Sequence, residues 1–232
     1  TLRQTPNVHP ILVKDGWPKD EKVFQNAKAI VFYLSGDNKQ AYLEPEKLKV
    51  IEKAVSKGTG LVHLHNCIEY PADRKNLALE WTGGVYEKNL SCRGHWVANI
   101  NQFEKHEITR GVTPFDIDEG WLFHMNFLPN GVKPLVMVNP PEKMRTTASA
   151  KKNAPNPETV GWAYETAKGN RSFTFTGGHA HSNWEKDGLR QLVVNGILWS
   201  AGLTIPEKGA SNKLAPEDLK ANLQNKPAPK KK

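Results

Sequence analysis

The stretch "EPEKLKVIEKAVSKGTGLVHLH", Glu44–His65, decides the fold, because a helix pattern in it runs directly into a buried strand pattern. Apolar residues recur at helical spacing in its first half, at Leu48, Ile51 and Val55. Gly58 is a typical stop for that helix, and the apolar "TGLVHLH" that follows is typical of a strand. The preceding "AKAIVFYLS" (27–35) is a second strand pattern. Strand, helix, strand predicts a βαβ unit and hence a parallel sheet.

The remaining patterns extend this α/β reading along the chain. We predict further strands over 8–13, 95–100, 120–127, 133–138, 159–165 and 171–176. We predict further helices over 72–81 and 187–202. A stretch of about twenty residues without periodicity, 139–157, is typical of a mobile or functional loop. The sequence therefore predicts one α/β domain over 1–205, followed by a basic, Pro- and Lys-containing tail over 206–232.

Composition and charge argue against three classes of protein: nucleic-acid-binding, membrane-spanning and disulfide-rich. The net charge is +8, but the segment from residue 206 onward has seven lysines against three acids and so carries half of that excess. Basic residues interleaved with aromatics, as nucleic-acid binders show, are missing, so no nucleic-acid partner is expected. No apolar run approaches the roughly 20 residues of a membrane-spanning helix. Two cysteines, Cys67 and Cys92, do not make a disulfide framework in a chain of 232 residues.

Two histidine pairs follow predicted strands. His63 and His65 end "GLVHLH", and His179 and His181 follow "RSFTFTGG". Ligands of open parallel sheets bind outside the carboxyl ends of the strands, so the two pairs are expected to converge there. Imidazole is a common zinc ligand. The sequence predicts a divalent metal, Zn²⁺ first, held by His65 with His179 and/or His181; the alternative is that each pair is a hydrogen-bonded loop feature.

Other polar and aromatic side chains complete the candidate site. A metal needs a proton-transferring group beside it, for which the candidates are Glu69, Glu119 and His124. Candidate substrate-binding residues are His95, Trp121, Asn183 and Trp184. The alternative for the carboxylates is a helix cap or a solvated surface charge, and for the tryptophans a place in the core.

Four segments resemble the ThuA-like, or trehalose-utilisation, family: "KGTGLVHLHNCIEYP", "WTGGVYEKNLSCRGHWVA", "HEITRGVTPFDIDEGWLFHMNF" and "RSFTFTGGHAHSNWEKDGLRQLVVNGILWSAG". The resemblance implies a flavodoxin-like three-layer sandwich with a mostly parallel sheet, of the class I glutamine amidotransferase-like superfamily. Family members usually open with a further strand and helix, so the first strand of the sheet is a candidate for absence here. His65 lies near the position of the superfamily's nucleophilic Cys and no glycine elbow surrounds Cys67, so a glutaminase is not expected.

The resemblance also implies a role in sugar catabolism, on oxidised (keto) sugars or glycosides, with a small-molecule carbohydrate as the partner. The leading hypothesis is a metal-dependent enzyme of lyase, hydrolase or isomerase type. The alternative is a non-catalytic carbohydrate-binding or scaffold module, and a third is a hydrolase that uses Cys67. Exported relatives favour a periplasmic or secreted location, and a homo-oligomer is left open.

Overall fold

The computed structural model describes residues 1–14 and 16–221, so residues 222–232 of the expected tail lie outside the described residues. The strands are β1 Ala29–Phe32, β2 Gly60–Leu64, β3 Gly84–Val85, β4 Cys92–Ile100, β5 Phe115–Phe123, β6 Asn126–Phe127, β7 Val132–Val138, β8 Glu158–Glu165 and β9 Arg171–Phe175. The α-helices are α1 Pro45–Ser56, α2 Lys75–Thr82, α3 Ala148–Lys152 and α4 Asp187–Ser200. None of the helices in these described ranges is long and apolar enough to cross a membrane.

The central sheet has five strands in the order β1-β2-β9-β8-β7. The predicted βαβ unit is confirmed, since β1 pairs with β2 in parallel and α1 connects them. β2 also pairs with β9 in parallel, whereas β8 pairs antiparallel with both β9 and β7. The expectation of a mostly parallel sheet is therefore corrected to a mixed sheet. The five-residue connection 166–170 is too short for a crossover and can only return the chain antiparallel.

Layers of apolar side chains cover both faces of this sheet. On one face, α1 and α2 pack on Ile30, Phe32 and Leu61. On the other face, α4 packs on Val62 and Phe173, and the β4–β5 hairpin joins the same core. Alternation along β2 thus sends successive side chains to opposite layers, which leaves the whole strand buried.

The β4–β5 hairpin carries two of the predicted site residues toward the sheet edge. The sequence predicted its strands only as separate runs over 95–100 and 120–127, whereas β4 and β5 pair antiparallel over nine residues each. His95 lies opposite Gly120 and Trp96 opposite Glu119 in this register. The hairpin therefore places His95 and Glu119 beside the loop that follows β9.

The predicted first strand, 8–13, is wrong. The segment has no strand pairing, and Ile11 and Leu12 are 67% and 69% exposed. Pro10 lacks an N–H group and so cannot donate to a ladder, and an apolar run alone does not supply a partner strand.

The chain after residue 205 contacts α4. The Ala210 N–H group donates to Asn195 Oδ1 over 3.0 Å, and Gln191 Nε2 donates to the Ala210 carbonyl over 2.8 Å. Asn195 is fully buried and Gln191 is 8% exposed. Residues up to about 213 thus supply hydrogen-bond partners to buried polar groups of the helix.

We expect a 1–213 truncation to melt near the full-length protein and a 1–205 truncation to melt several degrees lower. The shorter form loses the hydrogen bonds of Ala210 to Gln191 and Asn195, at about 0.5–1.5 kcal/mol for each, and about 2–4 °C of Tm accompanies each kcal/mol in a domain of this size. Thermal unfolding followed by circular dichroism checks this. Equal melting of both forms would place the end of the folded domain at 205.

Candidate functional site at the carboxyl edge of the sheet

Two glycines explain how the chain leaves β9. Gly178 has φ of +112°, a left-handed conformation that side chains rarely adopt. A Cβ on Gly177 would lie 2.5 Å from the Phe175 ring, so no larger residue fits there either. The turn made by these glycines brings His179 back over the carboxyl ends of β2 and β9.

His65 meets His179 at this edge. β2 ends at Leu64 and His65 has φ of +56°, so the chain turns sharply where the resemblance places the superfamily nucleophile. His65 Nδ1 lies 3.2 Å from the Thr176 carbonyl oxygen, which can only accept, so Nδ1 carries the proton and the Nε2 lone pair faces His179. His65 Nε2 lies 3.2 Å from His179 Nδ1. Burial lowers the pKa of His65, which keeps this imidazole neutral at neutral pH.

Glu119 holds this arrangement from below. Its side chain is fully buried. Oε1 accepts from the backbone N–H groups of His179, over 2.6 Å, and Gly120, over 2.9 Å, while Oε2 accepts from Asn183 Nδ2 over 2.9 Å. Three donors occupy the carboxylate and no part of it reaches solvent. Glu119 and Asn183 therefore connect the His179 loop to the β4–β5 hairpin through buried hydrogen bonds.

His95 extends the cluster outward along the hairpin. Its ring centroid lies 5.8 Å from that of His179, at an interplanar angle of 83°. His95 Nε2 lies 3.0 Å from Asp118 Oδ1, and both side chains are more than half exposed. His95 thus forms an exposed polar wall beside the His65–His179 pair, in a position to contact a ligand.

Glu69 is a partly exposed carboxylate close to His65 in the sequence. It follows the 3-10 turn His65–Ile68 and forms an ion pair with Arg93 of β4. Its side chain is 12% exposed, and burial raises its pKa, with Arg93 opposing that shift. A carboxyl group with a raised pKa that still reaches solvent is a stronger base than a fully solvated one and can exchange a proton with a ligand.

An aromatic wall lies on the other side. Tyr33, just after β1, stacks edge-on against Trp184 with centroids 6.1 Å apart, and its hydroxyl donates to the Gly178 carbonyl. Tyr33 is 46% exposed and Trp184 is half-buried. Sequence reasoning missed Tyr33 and Arg93. Tyr33 could have been found, because it follows a strand whose carboxyl end meets the same sheet edge.

Three predicted site residues lie outside this cluster. His181 Nε2 donates to the Leu219 carbonyl over 2.8 Å, so its imidazole faces the C-terminal segment. His124 contacts Glu158 and Ser149, beyond the far end of β5. Trp121 is 1% exposed and packs among Trp96 and Phe175 in the core.

The side chains present fit a metal ion as a pair of ligands. Two nitrogens of one tetrahedral zinc ion are about 3.3 Å apart for Zn–N bonds of about 2.0–2.1 Å, which the 3.2 Å between His65 Nε2 and His179 Nδ1 matches. No group of three His, Cys, Asp or Glu side chains within 1–14 and 16–221 is arranged to hold an ion. His181, the other predicted ligand, does not join the pair.

His63 lies on the face of the sheet that α1 and α2 cover, and its burial predicts that stability depends on pH. It is fully buried, its Nε2 lies 2.8 Å from Tyr70 Oη, and burial lowers its pKa to about 3. The unfolded chain therefore takes up a proton below about pH 6.5 that the folded chain does not. As the pH falls below that value, this group lowers the free energy of unfolding by about 1.4 kcal/mol for each pH unit. Urea unfolding of wild type and His63→Leu from pH 6 to pH 4 checks this: the variant should have the shallower dependence, and equal slopes would contradict it.

Cys67 lacks the properties of a nucleophile. It is fully buried, its Sγ accepts from the Leu34 N–H group over 2.8 Å, and burial raises its pKa to about 12. We expect iodoacetamide at neutral pH to leave Cys67 of the folded protein unmodified and to alkylate it after denaturation. Peptide mass spectrometry reads this out. Stoichiometric labelling of the folded protein with loss of an activity would restore Cys67 as a nucleophile.

A layered α/β sheet with polar side chains gathered at the carboxyl ends of its parallel strands defines an open-sheet α/β protein with a candidate ligand site at that edge. The ThuA family model, described as trehalose utilisation, matches residues 13–200, and the chain belongs to this family. The predicted resemblance is therefore confirmed.

Solved structures agree on the fold. The chain is similar to a ThuA-like protein from Parabacteroides merdae ATCC 43184, at 13% identity and a TM-score of 0.58 over 88% of this chain and 85% of that one. It is also similar to a ThuA-like protein from Bacteroides uniformis ATCC 8492, at 16% identity and a TM-score of 0.53 over 79% and 75%. No curated protein matches the chain.

Proposed function

We propose that this ThuA family protein is an enzyme of sugar catabolism that acts on a keto-sugar or keto-glycoside at the His65–His179 site. The observation that carries the proposal is the pairing of these two imidazoles, 3.2 Å apart, at the carboxyl ends of neighbouring parallel strands. A keto group acidifies the adjacent C–H bond, so elimination, isomerisation or hydrolysis can begin with removal of that proton.

A divalent ion, Zn²⁺ first, would be held by His65 and His179, and when bound it would polarise the keto oxygen as a Lewis acid. The ligand nitrogen of His65 carries no proton because Thr176 accepts from the other nitrogen, and burial, which lowers the pKa of His65, favours the neutral ring. Glu119 keeps His179 in place by accepting its backbone N–H group.

Glu69 is our candidate for the group that removes the proton. Burial raises its pKa, so the carboxylate gains basicity compared with a solvated one, while the ion pair with Arg93 opposes that shift. Glu119 is the other carboxylate candidate, but it is fully buried and already accepts from three donors.

Trp184 and Tyr33 would hold the sugar ring. Sugars present apolar C–H faces that pack on aromatic rings, and the edge-on pair offers such a face beside the imidazoles. His95, with its exposed ring, would hydrogen-bond ring hydroxyls. In this assignment Trp121 and Asn183 support the fold of the site from the core.

The test is to incubate zinc-loaded protein with trehalose and with its 3-keto form and follow both by chromatography. We expect loss of the keto form alone, and expect a chelator to stop it. Consumption of trehalose itself, or of neither compound, would contradict the proposal. Calorimetric binding of either sugar without turnover, unaffected by chelator, would favour the second candidate, a carbohydrate-binding module, which the exposed aromatic wall also fits.

A further inference from the structure

A second cluster of reactive side chains lies outside the His65–His179 site. His124 Nε2 is 2.8 Å from Ser149 Oγ, and His124 Nδ1 is 3.0 and 3.2 Å from the two oxygens of Glu158. A hydroxyl, an imidazole and a carboxylate are thus connected in series through the two ring nitrogens. The same serial connection activates serine in Ser–His–acid hydrolases on unrelated folds.

The three side chains come from separate elements and are fixed there. His124 directly follows β5 with φ of +58°, a left-handed backbone that is uncommon outside glycine and is enriched at functional sites. Glu158 is the first residue of β8. Ser149 lies in α3, inside the segment 139–157 that the sequence marked only as an aperiodic loop.

Burial decreases along the series from Glu158 to Ser149, and the charged carboxylate lies at the buried end. Glu158 is 6% exposed and forms a buried ion pair with Arg145, with Nη1 and Oε1 2.6 Å apart, and Asn153 Nδ2 donates to the same oxygen. The carboxylate paired with Arg145 accepts from His124, so it holds the His124 proton on Nδ1 and leaves the Nε2 lone pair facing Ser149. Ser149 itself is exposed, so a reagent can reach its hydroxyl.

We propose that Ser149 is the nucleophile of a second site, one that hydrolyses carboxylic esters, with His124 as its general base and Glu158 as the positioning residue of His124. Ser149 Oγ would attack the ester carbonyl carbon while His124 Nε2 takes its proton. The C–O bond to the alcohol then breaks, and His124 returns the proton to the departing alcohol. Water repeats the attack on the acyl-serine with the same proton relay and releases the carboxylic acid.

This site does not depend on the proposed keto-sugar chemistry. Gly120, opposite His95, and Phe123, which precedes His124, are three residues apart on β5, or about 10 Å at about 3.4 Å per residue. None of the distances that define the second cluster involves His65 or His179. Failure of either site therefore leaves the other untouched.

The test is a fluorophosphonate probe, whose phosphorus forms a bond to an activated serine oxygen with loss of fluoride. We expect peptide mass spectrometry to locate the adduct on Ser149 at neutral pH. Ser56, an exposed serine of α1 whose Oγ only donates to the Lys53 carbonyl, is the matched internal control and should stay unmodified. The labelling rate should fall at least about 10²-fold in His124→Asn, because Asn tolerates the left-handed backbone but cannot relay the proton.

Hydrolysis of p-nitrophenyl acetate gives a second readout, and it should be lost in Ser149→Ala, whose exposed side chain leaves the melting temperature unchanged. No adduct on Ser149, an adduct at equal rates on Ser149 and Ser56, or labelling that His124→Asn does not slow would each overturn the proposal. The melting temperature of each variant shows that it is folded when labelled.

Discussion

His179→Ala is expected to lower kcat/KM for the keto-sugar by about 10²–10⁴-fold, because a bound ion would stabilise the developing charge by several kcal/mol and the variant loses one of its two ligands. The substitution removes one of two imidazole nitrogens 3.2 Å apart and so abolishes both the His65 contact and the paired metal ligands. His65→Ala should have an effect of similar size. His179 is exposed, so neither a cavity nor an orphaned buried group follows, and the fold should be retained.

Two further histidines serve as controls in the same kinetic assay. His181→Ala should lower kcat/KM little, because its ring faces the Leu219 carbonyl instead of His65. His9→Ala, at an exposed position in the N-terminal segment, should have no effect. A loss in His181→Ala equal to that in His179→Ala would show that the ligand set predicted from the sequence is the functional one.

Glu158→Ala is expected to destabilise the fold by about 3–5 kcal/mol. Arg145 is 2% exposed and its guanidinium is paired with Glu158, so removal of the carboxylate leaves a buried positive charge without its partner. His124 and Asn153 lose their acceptor at the same time. Urea denaturation measures the change as a lower midpoint at unchanged m-value.

Glu142→Ala is the matched control for this variant. Glu142 is an exposed carboxylate of the same connecting segment, and its loss should change stability by no more than about 0.5 kcal/mol. A Glu158→Ala protein within about 1 kcal/mol of wild type would contradict the account of a buried pair. Replacement of both Arg145 and Glu158 by apolar residues should cost less than Glu158→Ala, since no unpaired charge remains.

The elements that the sequence predicted best are those set by local periodicity. α1 and β2 lie where the apolar spacing of Glu44–His65 placed them, and the position of His65 at the end of β2 followed from that. The carboxyl-edge rule then brought His65 and His179 together correctly. The wrong strand over 8–13 shows the limit of the same method, because an apolar run does not reveal whether a partner strand exists.

What the sequence could not predict depends on long-range geometry. His179 and His181 have the same spacing signal, yet the Gly177–Gly178 turn aims one at His65 and the other at Leu219. The sequence pattern does not distinguish Glu119 from a surface acid. The register of the β4–β5 hairpin buries it beneath the His179 loop. Ser149 and Arg145 lie in an aperiodic segment, and their roles follow only from long-range contacts, of Ser149 with His124 and of Arg145 with Glu158.

One measurement tests the central claim most directly: a crystal structure of zinc-loaded Glu69→Gln protein soaked with the 3-keto form of trehalose, in which loss of the proposed base should slow turnover. The account predicts a sugar ring against Trp184, with the keto oxygen at the His65–His179 pair and zinc bonded to His65 Nε2 and His179 Nδ1 at about 2.0–2.1 Å. Sugar bound away from both imidazoles, or zinc bound at His181 in their place, would contradict it.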